Sequence, residues 1–351
     1  MKVNLTAPGL SNASLPSSLE NSSDINRLRV MLQIFFYGVI FLLGSLGNGA
    51  VIWITVRQIS RTISCVWFFN LALADLFFSM SRIAPLINAA VYEGWASGTF
   101  ACKANGFIKY LNMFCSVFLL AAISMDRAAC IAYPMWSRKH RNTRLAWLGA
   151  IGAWFMAVVT SVPFYIYRNV DTRNNQTKCL VMLQEDGPVI KVTIYTLRLI
   201  CGFLAPFTII VICYSIIIMV LRRRQTSLRS KAFKVILALV VTFFFCWAPY
   251  HIIYLLRLAG MSGTDLSLIH LFAAFLAYLN SCANPVLYFF MGMDFHKKLT
   301  FYNITRALKK ILLEDEFVIR KSSGNNTELS SIHEQAKSSE VYQMHCGNSK
   351  P

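Results

Sequence analysis

Seven long apolar runs constrain the fold of this chain more than any other feature of its sequence. Each is long enough, at about 1.5 Å per helical residue, to cross the roughly 30 Å hydrocarbon core of a bilayer. Because a chain in lipid must satisfy its backbone hydrogen bonds internally, such runs predict membrane-spanning helices. We therefore predict an all-α fold, a seven-transmembrane helix bundle. The runs cover about residues 30–56, 63–91, 100–133, 146–167, 192–221, 232–257 and 267–291.

The composition favours a membrane protein and argues against a nucleic-acid-binding protein. Hydrophobic residues make up 56% of the 351 residues, and charged residues make up 14%. The net charge of +18 comes from short Lys and Arg clusters between the apolar runs rather than from one basic face, so nucleic acid is not a predicted partner. The ten cysteines are scattered, without the CxxC spacing that would indicate zinc or redox chemistry.

The basic residues also predict the orientation and the division of the chain. Lys and Arg concentrate in the connections that begin near Arg57, Ser137 and Arg222, which places these connections and the C-terminus in the cytoplasm and the N-terminus outside. The predicted N-glycosylation sites outside the membrane are Asn4, Asn12, Asn21 and Asn175. We divide the chain into an extracellular glycosylated tail at 1–28, the bundle at 29–292, a short amphipathic eighth helix on the membrane surface at 293–310, and a disordered cytoplasmic tail at 311–351.

Polar residues within the apolar runs predict which helix faces point into the bundle. An unpaired polar group in lipid costs several kcal/mol, so a polar stripe must face protein or trapped water. The third run has such a stripe on one helical face, and we expect it to be a central helix. Its members are Lys109, Asn112, Ser116, Ser124 and Arg127.

An acidic residue and three prolines predict further interior features. Asp75 lies well inside the second run, and oxygen-bearing side chains on the third and seventh helices predict a pocket around its carboxylate that suits a small hard cation or a water cluster. Each of three prolines lies within a helix, where it frees a backbone carbonyl and predicts a kink about which half of the helix can swing. They are Pro206, Pro249 and Pro285.

Six short motifs occur in order in the predicted helices. They are Gly47-Asn48 in the first, Leu71 to Asp75 in the second, Asp126-Arg127 at the end of the third, Trp154 in the fourth, Phe243-x-x-Cys246-Trp247-x-Pro249-Tyr250 in the sixth, and Asn284-Pro285-x-x-Tyr288 in the seventh. From about residue 30 to residue 305 the chain resembles the rhodopsin-like G-protein-coupled receptors. The resemblance implies a receptor rather than an enzyme, without catalytic residues and without a cofactor apart from an allosteric sodium ion.

The resemblance also implies roles for the matching residues. Cys102 and Cys179 would form a disulfide between the third helix and an outer loop, and Arg127 would turn toward the G protein with Tyr214 and Tyr288 as its partners. Ala128 stands where the family usually has an aromatic residue, which leaves the strength of coupling open. The implied sodium site comprises Asp75, Ser116, Asn280 and Asn284. The implied activation switch comprises Asp126, Arg127, Tyr214, Phe243, Trp247, Pro249, Asn284, Pro285 and Tyr288.

Cations in the outer half of the helices predict the charge of the ligand. Lys109 stands where amine receptors have an Asp, and Tyr278 stands where opsins have their retinal-binding Lys, so neither class fits. Burying several like charges without a nearby acid costs several kcal/mol, which favours a water-filled cavity with an anionic guest. Two of the cations, Arg168 and Arg257, lie near helix ends, where they could instead extend to the lipid headgroups. The predicted ligand-binding residues are Arg82, Lys109, Tyr110, Arg168, Arg198, Trp247, Tyr250 and Arg257.

Longer segments resemble one group within this family. The runs YLNMFCSVFLLAAISMDR, YPMWSRKHR, VPFYIYR, RLICGFLAP and FFFCWAPYH resemble the chemoattractant receptors, which include formyl-peptide, chemerin, anaphylatoxin and leukocyte prostaglandin receptors. The resemblance implies a multi-pass plasma-membrane protein that binds a peptide carboxylate or an acidic lipid and activates a heterotrimeric G protein, with the inhibitory class favoured. Arrestin and receptor kinases would bind the C-terminal tail. Two alternatives stay open: a decoy or arrestin-biased receptor, and an anion transporter.

Overall fold

Seven helices in the computed structural model are long and apolar enough to cross a membrane. The structure describes residues 17–57, 62–92, 94–173, 176–181, 187–223, 231–261 and 263–292. We number the membrane spans 1 to 7: Ile25–Val56, Ile63–Val91, Gly98–Ala132, Thr143–Ile166, Val192–Arg223, Phe233–Leu258 and Leu266–Tyr288. They agree with the predicted apolar runs to within a few residues, so the prediction of an all-α seven-span bundle is confirmed. The predicted surface helix at 293–310 and the tail at 311–351 lie outside the described residues.

The spans are built from the following elements. Span 1 comprises α1 (Ser17–Val39), a π-helical segment (Ile40–Gly44) and α2 (Ser45–Val56), and span 2 comprises α3 (Ile63–Ser81) and α4 (Ile83–Val91). Span 3 is α5 (Gly98–Ala132), followed by the short α6 (Pro134–His140), and span 4 is α7 (Thr143–Ile166). After strands β1 (Arg168–Arg173) and β2 (Gln176–Val181), span 5 comprises α8 (Gly187–Leu199), a second π-helical segment (Ile200–Leu204) and α9 (Ala205–Arg223). Spans 6 and 7 are α10 (Lys231–Leu258) and α11 (Thr264–Gly292).

Span 3 is the central helix of the bundle. It packs against spans 2, 4, 5 and 6. In its most apolar window 72% of the residues are buried, compared with 11% in that of span 1. The five polar residues of its predicted stripe are all buried. The prediction that this face points into the bundle is therefore confirmed.

Span 5 changes its helical pitch next to a proline. Pro206 has no N–H and cannot bond the carbonyl of Gly202, four residues earlier. The π-helical segment Ile200–Leu204 directly precedes this site, and its wider turn accommodates the missing bond. Gly202 lies against Met113 and Phe114 of span 3, so the two helices approach closely. The sequence predicted a kink here, but it did not predict the π-helical segment.

A β hairpin lies over the N-terminal end of span 3, at the end of the bundle that we call outer because the basic connections predict that it faces outside. Strands β1 and β2 are antiparallel, with Val170 opposite Cys179. Cys179 forms a disulfide with Cys102, near the start of α5, at a Cα–Cα distance of 5.6 Å. The implied disulfide is therefore confirmed. Since Cys102 is fixed in the central helix, the bond holds the hairpin at the outer mouth of the bundle.

Candidate ligand-binding site

Three cations are buried in the outer half of the bundle. Arg82, Lys109 and Arg198 come from spans 2, 3 and 5, and they are 1%, 7% and 1% exposed. Tyrosines surround them from spans 3, 6 and 7. We call the whole set the cation–tyrosine cluster: Arg82, Lys109, Arg198, Tyr110, Tyr250, Tyr254 and Tyr278. Helical spacing explains how span 6 supplies two of these rings, because Tyr250 and Tyr254 are four residues apart on one face.

Tyrosine hydroxyls connect two of the cations. Lys109 Nζ donates to the Tyr250 hydroxyl at 2.5 Å, and an Arg198 guanidinium nitrogen donates to the Tyr110 hydroxyl at 3.3 Å. The hydroxyls of Tyr110 and Tyr250 are 3.2 Å apart. Tyr250 in turn donates to the Tyr254 hydroxyl at 3.2 Å. The chain of hydroxyls thus links span 3, span 5 and span 6.

Aromatic faces provide much of the remaining environment of these cations. The Arg198 guanidinium lies 3.6 Å from the ring centroid of Tyr254, and Lys109 Nζ lies 4.4 Å from that of Tyr250. A cation over an aromatic face gains about 0.5–2 kcal/mol, more when it is desolvated. The rings therefore offset part of the free-energy cost of burying the positive charges, but they do not neutralise them.

Arg82 has its own set of contacts at the opposite side of the cluster. It donates to the Asn105 side-chain oxygen at 2.7 Å and to the Ser81 hydroxyl at 2.9 Å. Its guanidinium also lies 4.4 Å from the ring centroid of Phe78 and 5.4 Å from that of Tyr278. Arg82 is consequently better satisfied than the other two cations.

The cluster has an excess of positive charge. Among the described residues, no ion pair joins Arg82, Lys109 or Arg198 to a carboxylate. Each buried charge costs several kcal/mol of desolvation when no counter-ion repays it. The cluster can therefore bind an anion with little competition from the protein's own acids.

The other predicted ligand-binding residues lie around this cluster. Trp247 is 1% exposed, and its ring meets that of Tyr250 edge to face at 5.7 Å. Arg168 is half-buried and packs against Gly106 of span 3, with a guanidinium nitrogen 3.9 Å from Cys179 Sγ. Arg257 is half-buried in the last turn of α10. Arg168 thus points toward the central helix, whereas Arg257 stays at the outer end of span 6.

Asp75, around which the sequence predicts a cation pocket, is hydrogen-bonded by one of its predicted neighbours, Asn284, and by Asn112. The carboxylate is fully buried and accepts hydrogen bonds from the Asn112 and Asn284 side chains at 2.8 Å and 2.6 Å. Ser281 donates to the Asn112 oxygen at 3.2 Å. The predicted ligands Ser116 and Asn280 are both buried, and the Ser116 hydroxyl has no hydrogen-bond partner. A buried hydroxyl oxygen without a partner is the kind of ligand that a hard cation such as sodium prefers.

The inner end of span 3 differs from the implied arrangement. Arg141 donates two hydrogen bonds to Asp126, at 2.8 Å and 2.9 Å, whereas Arg127 lies 3.9 Å from the same carboxylate. Arg127 instead donates to the Ser64 hydroxyl at 3.0 Å. Ala128, in the position that is usually aromatic, is buried.

The rings implied as partners of Arg127 make other contacts in this conformation. Tyr214 packs on Phe233 of span 6 at 5.2 Å between ring centroids, and Tyr288 packs on Phe68 of span 2 at 4.9 Å. Phe243 contacts Trp247 at 6.1 Å. Pro249 and Pro285 lie inside α10 and α11 as predicted. The glycosylation candidates Asn4, Asn12 and Asn175 lie outside the described residues, and Asn21 lies in α1, where its side chain is not described.

Sequence reasoning missed several residues that complete these sites. Tyr254 carries the closest ring to Arg198, Asn105 accepts from Arg82, and Arg141 holds Asp126. The four-residue spacing of Tyr250 and Tyr254 could have indicated the first of these, because it places both rings on one helical face. Asn105 and Arg141 carry no such signal, since their partners come from different segments of the chain.

Comparison with known proteins agrees with this arrangement. A family model described as 7 transmembrane receptor (rhodopsin family) matches residues 47–288. The chain is 35% identical over 331 residues to Chemerin-like receptor 1 of Sus scrofa, covering 89% of this chain and 90% of that protein. It is 32% identical to Formyl peptide receptor 2 of Mus musculus, covering 87% of this chain and 92% of that protein. It is also 37% identical to the C3a anaphylatoxin chemotactic receptor of Oncorhynchus mykiss, covering 89% and 86%.

The family determines the broad class and location of the protein. Its members are multi-pass receptors of the plasma membrane that bind an extracellular ligand and a G protein, and they are not enzymes. The predicted receptor class is therefore confirmed. With seven spans, the Cys102–Cys179 disulfide and these relatives, the chain belongs to the rhodopsin family of G-protein-coupled receptors and, within it, to the chemoattractant receptor group.

Proposed function

We propose that this receptor responds to an anionic messenger, either a peptide with a free C-terminal carboxylate or an acidic lipid. The ligand binds in the outer half of the bundle, with its acidic group between Lys109 and Arg198. Tyr250 and Trp247 lie below and beside it, and Arg168 and Arg257 flank the entrance. The N-terminus is extracellular, and the basic inner connections face the cytoplasm.

One observation carries this proposal: the cation–tyrosine cluster buries Arg82, Lys109 and Arg198 without a carboxylate partner among the described residues. A neutral ligand would leave this excess charge in place, and a cationic ligand would add to it. A carboxylate instead forms charge-assisted hydrogen bonds with ammonium and guanidinium donors. The ligand class therefore follows from the sign of the charge that the protein leaves uncompensated.

Binding promotes nucleotide exchange on a heterotrimeric G protein of the inhibitory class. An agonist can shift the receptor only by binding its two states with different affinity. The Lys109–Tyr250 hydrogen bond joins span 3 to span 6 in the present conformation. A carboxylate that competes for the Lys109 ammonium weakens this link. Span 6 can then swing at Pro249 and open the inner face around Arg127.

Other partners act at the two membrane faces. Arrestin and receptor kinases bind the C-terminal tail, and the amphipathic segment at 293–310 rests on the inner leaflet. A sodium ion binds Asp75 with Ser116, Asn280 and Asn284, and stabilises the ligand-free conformation. The unpaired Ser116 hydroxyl supports this assignment.

The test is a guanine-nucleotide exchange assay on membranes that contain the receptor and an inhibitory-class G protein. Peptides with a free C-terminal carboxylate are compared with their amides, and acidic lipids with their methyl esters. Since a hydrogen bond to a charged group contributes about 1.5–3 kcal/mol, each neutral analogue is expected to be at least about tenfold weaker. Equal potency of the acid and neutral forms would refute the anionic pharmacology.

A decoy or arrestin-biased receptor is the second candidate, and Ala128 favours it. A small, buried residue follows Asp126-Arg127 where the family usually has an aromatic side chain, so the packing next to Asp126 and Arg127 differs from that of the family. Arrestin recruitment measured with the same ligands separates the two candidates: a decoy recruits arrestin without nucleotide exchange. Anion uptake into vesicles, measured in parallel, tests the transporter alternative.

A further inference from the structure

A small cleft lies between spans 5 and 6, on the side of the bundle away from Lys109. Arg198, His251 and Tyr254 form its floor, and Leu199, Leu255 and Leu258 line its rim. It encloses about 170 Å³ of empty volume, open space at its mouth included. The enclosed part of this space has room for about one water molecule, far less than the roughly 300–1,000 Å³ of a complete small-molecule site, so the cleft can hold only the end of a ligand.

The mouth of the cleft faces the membrane. Leu255 is 46% exposed, and it shares the outward face of α10 with Ile252, Phe245 and Val241, which are all more than half exposed. Arg198 lies six residues inside the outer end of span 5, which corresponds to a depth of about 9 Å. A molecule in the outer leaflet can thus reach the cleft without passing through the cation–tyrosine cluster.

The floor of the cleft has polar atoms without partners. His251 is 3% exposed, and neither of its ring nitrogens makes a hydrogen bond. The Nε of Arg198 is also buried and unpaired. Buried polar groups without partners are rare in folded proteins, and each one calls for an explanation such as a bound ligand.

The backbone of span 5 is irregular at the same place. The π-helical segment Ile200–Leu204 begins directly after Leu199, a residue of the rim. Such segments occur often at functional sites, because the extra residue in the turn displaces the neighbouring side chains. The π-helical turn accommodates Pro206, and it also places irregular backbone directly beside the unpaired polar atoms of the cleft.

We propose that this cleft is a lateral entry and binding site for single-chain lipid carboxylates from the outer leaflet. The carboxylate binds Arg198 and His251, and the acyl chain lies between Leu199 and Leu255 toward the membrane. A net positive floor selects an acid, and the small enclosed space admits only the carboxylate end, so the acyl chain lies outside it along the rim. This inference deepens the proposed function, on which it rests, by adding a membrane route to Arg198.

The test uses purified receptor in phosphatidylcholine nanodiscs and a long-chain fatty acid that carries a diazirine. After irradiation, labelled residues are mapped by mass spectrometry. We expect labelling on spans 5 and 6 at the rim of the cleft, and we expect unlabelled fatty acid to compete for it. The methyl ester of the probe should label these residues at least about tenfold less, because it lacks the charge-assisted bond.

Two substitutions distinguish the lateral route from the central one. Leu255→Trp fills the mouth of the cleft from the membrane side and should remove most of the labelling. Leu237→Trp is the matched control, since Leu237 is 39% exposed on the inner half of the same helix, and it should have no effect.

A third substitution, Arg198→Gln, tests the selectivity for the carboxylate and should abolish the preference for the acid over the ester.

Each contrary result overturns the inference. Equal labelling by acid and ester would make the cleft a general apolar groove. Equally strong labelling at the rim by a phosphatidylcholine that carries the diazirine would make it a phospholipid site. Full labelling in Leu255→Trp would mean that the acid reaches Arg198 through the cation–tyrosine cluster rather than from the membrane. Nucleotide exchange driven by a soluble acidic peptide, which should survive Leu255→Trp, reports on the proposed function separately. The lateral site can therefore fail while the anionic pharmacology stands.

Discussion

Replacing Lys109 by methionine separates ligand binding from structural support. Methionine retains an unbranched apolar side chain and lacks the ammonium. That ammonium donates to Tyr250 and lies over its ring, yet no carboxylate among the described residues pairs with it. We expect Lys109→Met to weaken the binding of an acidic ligand while the ligand-free receptor stays about as stable as the wild type.

The magnitudes of the two effects follow from the contacts. Loss of a charge-assisted hydrogen bond to the ligand costs about 1.5–3 kcal/mol, which corresponds to about a 10- to 150-fold weaker Kd. Without ligand, the substitution removes one hydrogen bond and three cation–π contacts, with the rings of Tyr110, Tyr250 and Tyr278, together worth about 3–9 kcal/mol. It also removes a desolvation cost of several kcal/mol. Tyr250 keeps Tyr110 and Tyr254 as partners, so no polar group is left unsatisfied. The lost contacts and the relieved desolvation are of similar size, so the net change in stability lies near zero.

The assay combines thermal unfolding of the purified receptor without ligand and competition binding of an active acid. Lys103→Met is the matched control, because Lys103 is on the same helix near its outer end, with its ammonium 5.7 Å from the ring centroid of Tyr165. The control should change neither quantity. About 1 kcal/mol corresponds to roughly 2–4 °C in Tm for a domain of this size class. A fall in Tm of more than about 4 °C, with unchanged affinity for the acid, would refute the binding role and show that Lys109 is a structural residue.

Three further predictions concern other parts of the molecule. Arg141→Gln should lower basal nucleotide exchange, because Asp126 loses its two hydrogen bonds from Arg141 and can tighten its 3.9 Å ion pair with Arg127; a raised basal rate would contradict this. Asp75→Asn should abolish any effect of sodium on agonist affinity, measured by competition binding in sodium and in N-methylglucamine buffers. A sodium effect that persists in the variant would show that Asp75 is not a sodium ligand. Cys179→Ser removes a disulfide between residues that are 77 positions apart, which lowers the free energy of unfolding by up to about 4.5 kcal/mol through loop entropy. The amount of folded receptor at the cell surface, measured by antibody binding, should fall sharply. A normal amount would show that the hairpin is held in place without the disulfide.

The topology and the central helix could be predicted from the sequence because both follow from one-dimensional patterns. The length of each apolar run determines whether it crosses the bilayer, and the spacing from Lys109 to Arg127 determines a shared face. The π-helical segments could not be predicted in this way. The segment at Ile200–Leu204 depends on how closely Gly202 approaches Met113 and Phe114, and this distance is a property of the packed helices.

The candidate site was predictable in its charge and less so in its geometry. The sequence indicates Lys109, Arg198 and Arg82 as site residues because a cation within an apolar run is costly to bury in any orientation of its side chain. Their partners come from other helices, and no spacing rule connects residues across the bundle. Thus Asn105 as the acceptor for Arg82, and Tyr254 as the ring over Arg198, required the structure. The same reason explains why nothing in the sequence indicates Arg141, in the connection that begins near Ser137, as the partner of Asp126.

The arrangement of the cluster also explains how a small anion can act on a large bundle. In this conformation the Lys109 ammonium is shared between two helices through Tyr250, and the Arg198 guanidinium is joined to them through Tyr110. A carboxylate that takes these donors exchanges links between helices for links to itself. The free energy available is that of one or two charge-assisted bonds, about 1.5–6 kcal/mol, while a shift of a two-state equilibrium from 1:99 to 99:1 requires about 5.5 kcal/mol. One bond gives a partial agonist, and engagement of both Lys109 and Arg198 is needed for a full response.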